Sequence, residues 1–245
     1  MSAVKYEKFK NGCEIAVSEN HTFGTDAFLL ADFAAAKHNE IVCDLGTGCG
    51  IIAVLIKMRY EPNRVYGIEI QPEAAELFRT TVERSGLENV FPINMDLREL
   101  KDPAPLGVCG LVTCNPPYKA AGSGIESGGN AQKIARHEIM CGINDVCRAG
   151  AKLLKFGGRL CICNRPERLA DVVCAMRENG IEPKKIRFVS KTPKDPPWLF
   201  LIEGRKGGKP FMNVMPPLFM SENGGISEEL RSIYGHTLPE GESIK

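Results

Sequence analysis

Residues 40–50, EIVCDLGTGCG, decide the fold of this 245-residue chain. The stretch starts as an apolar run with β-branched residues, which predicts a buried strand, and it ends in glycines at positions 46, 48 and 50. Residues 51–58 then continue as an apolar segment with helical character. Glycines at the first strand-to-helix turn of a doubly wound sheet allow the backbone to approach a ligand closely. The stretch therefore predicts an α/β protein with a ligand-binding glycine turn.

The spacing of these glycines distinguishes between ligands. A dinucleotide fingerprint has the pattern Gly-x-Gly-x-x-Gly, whereas here the third glycine comes one residue early and Ile51 occupies the expected place. The pattern Asp-x-Gly-x-Gly-x-Gly, from Asp44 to Gly50, resembles the first motif of class I S-adenosylmethionine-dependent methyltransferases. In that family the cofactor carries no pyrophosphate, and its ammonium and sulfonium groups favour nearby carboxylates such as Asp44. A purely structural glycine turn is the minority alternative.

Residues 112–118, VTCNPPY, form a second informative stretch, in which a predicted buried strand stops at an amide, two prolines and an aromatic ring. Proline has no N–H and restricts the residue before it to extended geometry, so the carbonyls of Asn115 and Pro116 point in fixed directions. An exocyclic amine offers two N–H donors, which the Asn115 side-chain oxygen and the Pro116 carbonyl can accept while the Tyr118 ring stacks on the substrate. We therefore predict Asn115, Pro116, Pro117 and Tyr118 as catalytic residues. The alternative is a proline-terminated strand with a surface tyrosine.

Acidic residues also follow the two strands predicted after the glycine turn. Glu69 ends the strand at residues 64–70, where an acid can accept hydrogen bonds from ribose hydroxyls in Rossmann-like folds. Asp96 and Leu97 follow the strand at residues 90–94, and they match the family positions that contact the adenine of the cofactor. Because the first and fourth strands flank the switch point of such a sheet, we expect the glycines and Asn115 to face one crevice.

The first 24 residues predict a β-hairpin, since two alternating segments flank Asn11-Gly12, a pair suited to a tight turn. A helix should follow, with Thr25 as its cap and Asp26 in its first turn. We place the hairpin at residues 1–24 and the main domain at residues 25–245. The methyltransferase resemblance puts Thr25 and Asp26 near the methionine end of the cofactor, and simple capping is an equally good interpretation.

The remaining chain completes a seven-stranded, mostly parallel sheet with helices on both faces, a Rossmann-like class I methyltransferase plan. Further strands are predicted at residues 159–163, 186–190 and 198–202, and residues after Pro217 are expected to form an irregular tail. Residues 119–133 are rich in glycine and poor in apolar side chains, which suggests a lid that closes over substrate. A surface loop without this function is the alternative.

Composition excludes several classes of protein. The chain is 43% hydrophobic and 25% charged, and it has no apolar run near the roughly 18 residues of a membrane span. Its start lacks the pattern of a secretion signal, so we expect a cytoplasmic protein. The ten cysteines lie mostly in apolar runs without Cys-x-x-Cys pairs, and the four histidines lack ligand spacing. We therefore predict buried reduced cysteines and no metal site.

From about residue 23 to residue 234 the chain is similar to bacterial tRNA(Val) adenine-N6 methyltransferases. The residues that carry this resemblance are Thr25-Asp26, the glycine turn from Asp44 to Gly50, Glu69, Asp96, Asn115-Pro116-Pro117-Tyr118 and Ala135-Arg136-His137-Glu138. The resemblance implies methyl transfer from S-adenosylmethionine to N6 of the adenosine just 3′ of the valine anticodon. The expected cofactor-binding residues are Thr25, Asp26, Asp44, Gly46, Thr47, Gly48, Glu69, Ile70, Asp96, Leu97 and Asn115.

Three other functions remain open at this point. The Asn-Pro-Pro-Tyr motif also serves the methylation of a glutamine side chain in release factors, and close relatives of the motif methylate adenine in DNA. A binding protein that keeps the cofactor pocket without turnover is the other alternative.

Charge is balanced overall but uneven along the chain. The formal net charge is +1, so no global field attracts nucleic acid. Residues 184–209 hold eight basic side chains against Asp195 and Glu203. These are Lys184, Lys185, Arg187, Lys191, Lys194, Arg205, Lys206 and Lys209. We predict that this region contacts tRNA phosphates, and the alternative is a solvated surface.

Overall fold

The computed structural model describes residues 3–9, 12–116 and 141–235. Its strands are β1 (Lys5–Lys8), β2 (Glu14–Val17), β3 (Ile41–Leu45), β4 (Arg64–Glu69), β5 (Val90–Asn94), β6 (Cys109–Cys114), β7 (Leu154–Asn164), β8 (Ile181–Ser190), β9 (Pro197–Lys206), β10 (Asn213–Val214), β11 (Leu218–Phe219), β12 (Ser221–Glu222) and β13 (Gly225–Ile226). Its α-helices are α1 (Thr25–Ala34), α2 (Ile51–Tyr60), α3 (Pro72–Arg84), α4 (Ile143–Leu153), α5 (Leu169–Glu178) and α6 (Glu228–Tyr234). Short 3₁₀ turns lie at Leu97–Glu99 and Pro166–Arg168.

The predicted seven strands form one sheet in the order β8-β9-β7-β6-β3-β4-β5. All neighbours run parallel except β9, which is antiparallel to β7 and β8. The fold prediction is confirmed, with one correction to the strand count. Two additional strands of two residues each, β10 and β11, pair with β8 at the edge, so the sheet has nine strands within the described part of the chain. Segments this short show no periodicity, which is why the sequence did not reveal them.

Helices cover both faces of the sheet. One apolar cluster joins the sheet to α1, α2, α3 and α6, and a second cluster on the opposite face joins it to α4 and α5. Strand β6 is buried at every residue, as expected for a central parallel strand covered on both sides. The carboxyl ends of β3, β4 and β6 therefore lie at one edge between the two layers of helices, where the predicted site residues follow the strands.

The N-terminal hairpin is present, and it packs on a helix rather than on the sheet. Strands β1 and β2 are antiparallel, and Ala16 N of β2 donates to Thr81 Oγ1 of α3 at 2.9 Å. The ring of Phe9, just after β1, lies 6.2 Å from that of Phe28 in α1. The boundary between residues 24 and 25 stays a prediction.

Two local expectations were wrong. Helix α1 is capped by Gly24 without a side-chain hydrogen bond, and the Thr25 hydroxyl instead lies 2.8 Å from the Tyr234 hydroxyl. Tyr234 belongs to α6, so residues 218–235 are an ordered part of the fold and not an irregular tail, and the last ten residues lie outside the described ranges. The sequence signal for α6 was Ser227, whose hydroxyl accepts from Leu230 N at 3.1 Å as a helix cap.

The cysteines are all free thiols. Eight of them are buried, as predicted for small apolar residues, whereas Cys141 is half-buried and Cys174 is exposed. No cluster of three potential metal ligands occurs within residues 3–9, 12–116 and 141–235. Across the same described ranges, every helix is too short or too polar to cross a bilayer.

Candidate functional site

A cavity of about 600 Å³ opens at the carboxyl ends of β3, β4 and β6. Asn115, predicted both as catalytic and as cofactor-binding, lines it with the catalytic candidate Pro116 and six further predicted cofactor-binding positions. The six are Gly46, Gly48, Glu69, Ile70, Asp96 and Leu97. The topology thus brings most of the predicted site to one place. Within the described chain, Thr25, Asp26, Asp44 and Thr47 do not contribute to the lining.

The glycine turn combines two separate uses of glycine. Gly46 and Gly48 have φ of 64° and 58°, and a Cβ at either position would meet open space. These two glycines therefore give the turn its left-handed backbone and leave room in front of it. Gly50 also has a positive φ of 88°, but a Cβ there would lie 2.0 Å from Cδ2 of Phe78. The third glycine is thus required for packing against α3.

Asp44, in β3 two residues before Gly46 of the glycine turn, is completely buried. Its Oδ1 accepts from Thr113 Oγ1 at 2.7 Å, whereas its Oδ2 has no hydrogen-bond partner among the described residues. Burial raises the pKa of Asp44 to about 7, hydrogen bonding from the Thr113 and Thr47 hydroxyls opposes this increase, and the negative charge of Glu69 adds to it. A buried carboxylate oxygen without a well-formed hydrogen bond is unfavourable, and both the Thr47 hydroxyl and a donor group of a ligand can satisfy it.

Glu69 connects the glycine turn to the end of β4. Its Oε2 accepts from Gly48 N and its Oε1 accepts from Gln71 N, both at 2.9 Å. Each carboxylate oxygen can accept a further hydrogen bond, because an ionised carboxylate has about four lone-pair positions. Glu69 therefore fixes the glycine turn and still offers acceptor capacity to the cavity.

Asp96 lines the cavity, but its carboxylate is already engaged. Arg98 donates to both carboxylate oxygens through Nε at 3.0 Å, and the Arg98 backbone N donates to Oδ1 at 2.9 Å. The hydrogen bonds from Arg98 hold the pKa of Asp96 below its usual range. Any ligand amine at Asp96 would therefore share an acceptor with Arg98, which makes its predicted role weaker than that of Glu69.

Asn115 follows β6, and two side chains of the described residues contact its amide group. Its Nδ2 donates to Asp26 Oδ2 at 3.0 Å, and the Cys163 thiol donates to its Oδ1 at 3.0 Å. Asp26 was predicted near the cofactor, and this stays a prediction; the structure shows its carboxylate in contact with the catalytic candidate Asn115. Pro117, Tyr118, the glycine-rich stretch 119–133 and residues 135–138 lie outside the described ranges, so their predicted roles stay predictions.

Several residues of the site were not predicted from sequence. Residues 19–22, between the hairpin and α1, line the cavity, as do Arg98 and Cys141. A signal was available for Arg98, since an acid two residues before an arginine at a strand end permits a local ion pair. For residues 19–22 the only signal was their position directly before Thr25-Asp26.

The basic region divides between the two edges of the sheet. Strand β8 runs parallel to β6, so Lys191 and Lys194 follow its carboxyl end at the same edge as the cavity. Most of the other basic side chains are engaged inside the chain. Lys184 Nζ donates to Lys209 O at 2.9 Å, and Arg187 pairs with Glu229 at 2.6 Å. The structure therefore does not bring residues 184–209 together as one basic patch.

Comparison with known proteins identifies relatives at the level of sequence. The profile of the TRM5/TYW2 methyltransferase domain matches residues 31–119. A tRNA1(Val) (adenine(37)-N6)-methyltransferase of Porphyromonas gingivalis is 28% identical over 211 residues, which cover 82% of this chain and 78% of the relative. A protein of the same name from Parabacteroides distasonis is 26% identical over 180 residues, covering 74% of this chain and 75% of the relative.

Solved structures of other proteins share the fold of this chain. Atu636 of Agrobacterium tumefaciens, described as a predicted O-methyltransferase, matches with a TM-score of 0.70 at 20% identity and covers 86% of this chain and 95% of its own. TYW2 of M. jannaschii, solved in complex with AdoMet, matches with a TM-score of 0.56 at 17% identity, over 84% of this chain and 86% of its own. The chain therefore has the class I methyltransferase fold and is a homologue of the bacterial proteins named tRNA1(Val) (adenine(37)-N6)-methyltransferase.

Proposed function

We propose that this chain transfers a methyl group from S-adenosylmethionine to the exocyclic N6 amine of an adenosine in tRNA, beside the anticodon of valine tRNA. The observation that carries this proposal is the position of Asn115. Its amide follows β6 and lines the same 600 Å³ cavity as the glycine turn and Glu69. The curated relatives that share most of the chain have names that specify this reaction.

The glycine turn and the carboxylates of Asp44 and Glu69 beside it fit the cofactor. The buried Asp44 Oδ2 lacks a donor among the described residues, and Gly46 and Gly48 leave open space where side chains would otherwise project. Asp44 and Glu69 would hold cationic and hydroxyl groups of the cofactor, since carboxylates accept from both. When bound there, S-adenosylmethionine would supply a methyl group already activated by a positively charged sulfur.

The chain's own contribution to the chemistry is to prepare the amine. The nitrogen lone pair of an exocyclic amine is delocalised into the ring, which makes the nitrogen a weak nucleophile. Asn115 Oδ1 and the Pro116 carbonyl would each accept one amine hydrogen, which favours a pyramidal nitrogen with its lone pair directed at the methyl group. Tyr118 would stack on the extruded base, a contact worth about 1–3 kcal/mol in other nucleic-acid complexes.

For the tRNA we propose contacts at the carboxyl edge of the sheet. Lys191 and Lys194 are exposed in the loop between β8 and β9. Arg165 follows β7 at this edge, where its guanidinium lies 5.2 Å from the ring centroid of Trp198 and donates to Trp198 O at 2.9 Å. Since neighbouring strands are about 4.8 Å apart, the ends of β6, β7, β9 and β8 place these groups roughly 5–15 Å from Asn115. That distance suits the phosphates of nucleotides next to the target base.

The test is methylation of defined substrates with labelled cofactor. The purified chain is incubated with valine tRNA, with the same tRNA carrying guanosine at the target adenosine, and with a release factor. We expect label in valine tRNA, recovered after digestion as N6-methyladenosine, and none in the guanosine-substituted tRNA. Labelled glutamine in the release factor with unlabelled tRNA would contradict the proposal, and so would cofactor binding without turnover on either substrate.

A further inference from the structure

The Asn115 amide is held between two side chains that the proposed reaction does not use directly. Asp26 accepts from Nδ2 and Cys163 donates to Oδ1, each at 3.0 Å. These contacts come from the start of α1 and from the carboxyl end of β7, whereas Asn115 itself follows β6. Three separate elements of the fold therefore converge on one amide group.

The Asp26 carboxylate is itself well fixed. Its Oδ1 accepts from Ala27 N, and its Oδ2 accepts from Asn115 Nδ2, each at 3.0 Å. Asp26 also lies in the first turn of α1, where the partial positive charge of the helix N-terminus favours a carboxylate. Because an ionised carboxylate can only accept, it selects the amide orientation in which nitrogen faces Asp26 and oxygen faces away. A rotation of the amide by 180° would oppose two oxygens.

We propose that Asp26 is a positioning residue, which holds the Asn115 amide so that its oxygen accepts a hydrogen from the substrate amine. The hydrogen bond from Nδ2 to a carboxylate is charge-assisted and stronger than a neutral one. Linked hydrogen bonds also polarise one another, so this contact increases the negative charge on Oδ1 and strengthens it as an acceptor. The role depends on the proposed amine methylation, and it differs from the direct cofactor contact that the sequence predicted for Asp26.

The first experiment separates positioning from cofactor binding. Asp26→Ala should lower turnover at saturating cofactor and tRNA about tenfold, the effect of losing one charge-assisted hydrogen bond, while the cofactor Kd from calorimetry changes less than about threefold. Asp26→Asn should fall between wild type and Asp26→Ala, because its side-chain oxygen can still accept from Asn115 Nδ2. A weakened cofactor Kd with normal turnover at saturation would overturn the proposal.

A double-mutant cycle tests whether Asp26 acts through Asn115. In an Asn115→Ala background, Asp26→Ala should cause no further loss of turnover, because the group that it orients is absent. A second tenfold loss in that background would show that Asp26 acts independently and would overturn the positioning role. Asp32→Asn is the matched control, since Asp32 lies on the same helix and pairs with Arg59 at 2.8 Å away from the cavity. Its turnover should equal that of wild type.

A measurement without substrate keeps this inference separate from the proposed function. In ¹⁵N-labelled protein the two Asn115 side-chain amide protons should have well-separated resonances and exchange slowly with water. In Asp26→Ala the separation should shrink and the exchange should accelerate, while melting temperature and backbone spectra confirm folding. An Asn115 amide unaffected by Asp26→Ala would overturn the proposal. A wild-type protein that methylates no amine would refute the proposed function. The amide spectra would still decide whether Asp26 orients the Asn115 amide, because they are recorded without substrate.

Discussion

The two halves of the cavity are built from different kinds of contact. In the glycine-turn half, backbone N–H groups make the contacts, since Gly46 N donates to Ile68 O at 2.8 Å and Gly48 N donates to Glu69 Oε2 at 2.9 Å. In the amide half, side chains from residues 26, 115 and 163 contact one another. The first half needs only the neighbouring strands β3 and β4, whereas the second needs three distant elements to pack together. Variants should therefore separate cofactor binding from turnover.

The largest expected effect belongs to the amide half. Asn115→Ala should lower turnover by roughly 10²-fold or more, the scale for losing one preorganised polar group, and should leave the cofactor Kd nearly unchanged. Steady-state kinetics and calorimetry measure the two quantities. Asn144→Ala, at an exposed asparagine on α4, is the control and should match wild type. Turnover that survives in Asn115→Ala would remove Asn115 from the mechanism.

The glycine-turn half should show the opposite pattern. Glu69→Ala removes the acceptor of Gly48 N and Gln71 N, so the cofactor Kd should weaken by about tenfold to a hundredfold. Turnover at saturating cofactor should fall much less, because the amide half stays intact. Glu76→Ala on α3, which removes an exposed carboxylate paired with Arg79, should change neither quantity. Equal cofactor affinity in Glu69→Ala and wild type would refute the prediction that the glycine-turn half binds the cofactor.

The protonation of Asp44 provides a test by pH. Because burial raises the pKa of Asp44 to about 7, the carboxyl is largely protonated at pH 6, and a cationic ligand must displace that proton. Cofactor affinity should therefore rise roughly tenfold between pH 6 and pH 8, with proton release detectable by calorimetry in buffers of different ionisation enthalpy. Asp44→Asn should abolish this dependence, and a wild-type affinity independent of pH would contradict the role of Asp44.

Rising pH should strengthen cofactor binding through Asp44 but should lower the folding stability that Asp44 contributes. The protonated carboxyl is favoured by the folded state, so the stability that Asp44 contributes is present below about pH 4 and is lost as pH rises through about 7. The increase in melting temperature caused by cofactor should accordingly be greater at pH 8 than at pH 6.

The smallest expected effect concerns the edge of the sheet next to the amide half. Lys191→Ser with Lys194→Ser should raise the KM for tRNA several-fold and reduce the salt dependence of binding by about 1.4 in log–log slope, since each contact to a single strand contributes about 0.7. Arg205→Ser with Lys209→Ser is the matched control, because it removes the same charge from exposed residues at the opposite edge. Equal salt slopes in the two double variants would exclude Lys191 and Lys194 as phosphate contacts.

The sequence by itself determined the glycine-turn half and the plan of the sheet. Three local patterns depend on backbone conformation. They are the glycines followed by a helix, the strand ends marked by Asp44, Glu69 and Asn115, and the start of a helix at Pro72. Parallel strands then bring their carboxyl ends to one edge, so the convergence of these residues followed from topology alone. The catalytic roles of Asn115 and Pro116 were predicted in the same way, because prolines restrict the backbone locally, and these roles stay predictions.

Only the tertiary structure decided which side chains contact each other. Asp26 and Cys163 are 89 and 48 residues away from Asn115, and no periodicity predicts such pairs. The same holds for the contact between Tyr234 and Thr25, which joins α6 to α1, and for the contact between Arg98 and Asp96, which occupies the carboxylate of that acid. The basic residues of 184–209 lie at opposite edges of the sheet for a related reason. Strands β8 and β9 are antiparallel, so the start of β8 and the end of β9 lie at one edge, and the loop between the two strands lies at the other. Local patterns fix backbone conformation, whereas contacts between side chains depend on how the elements pack.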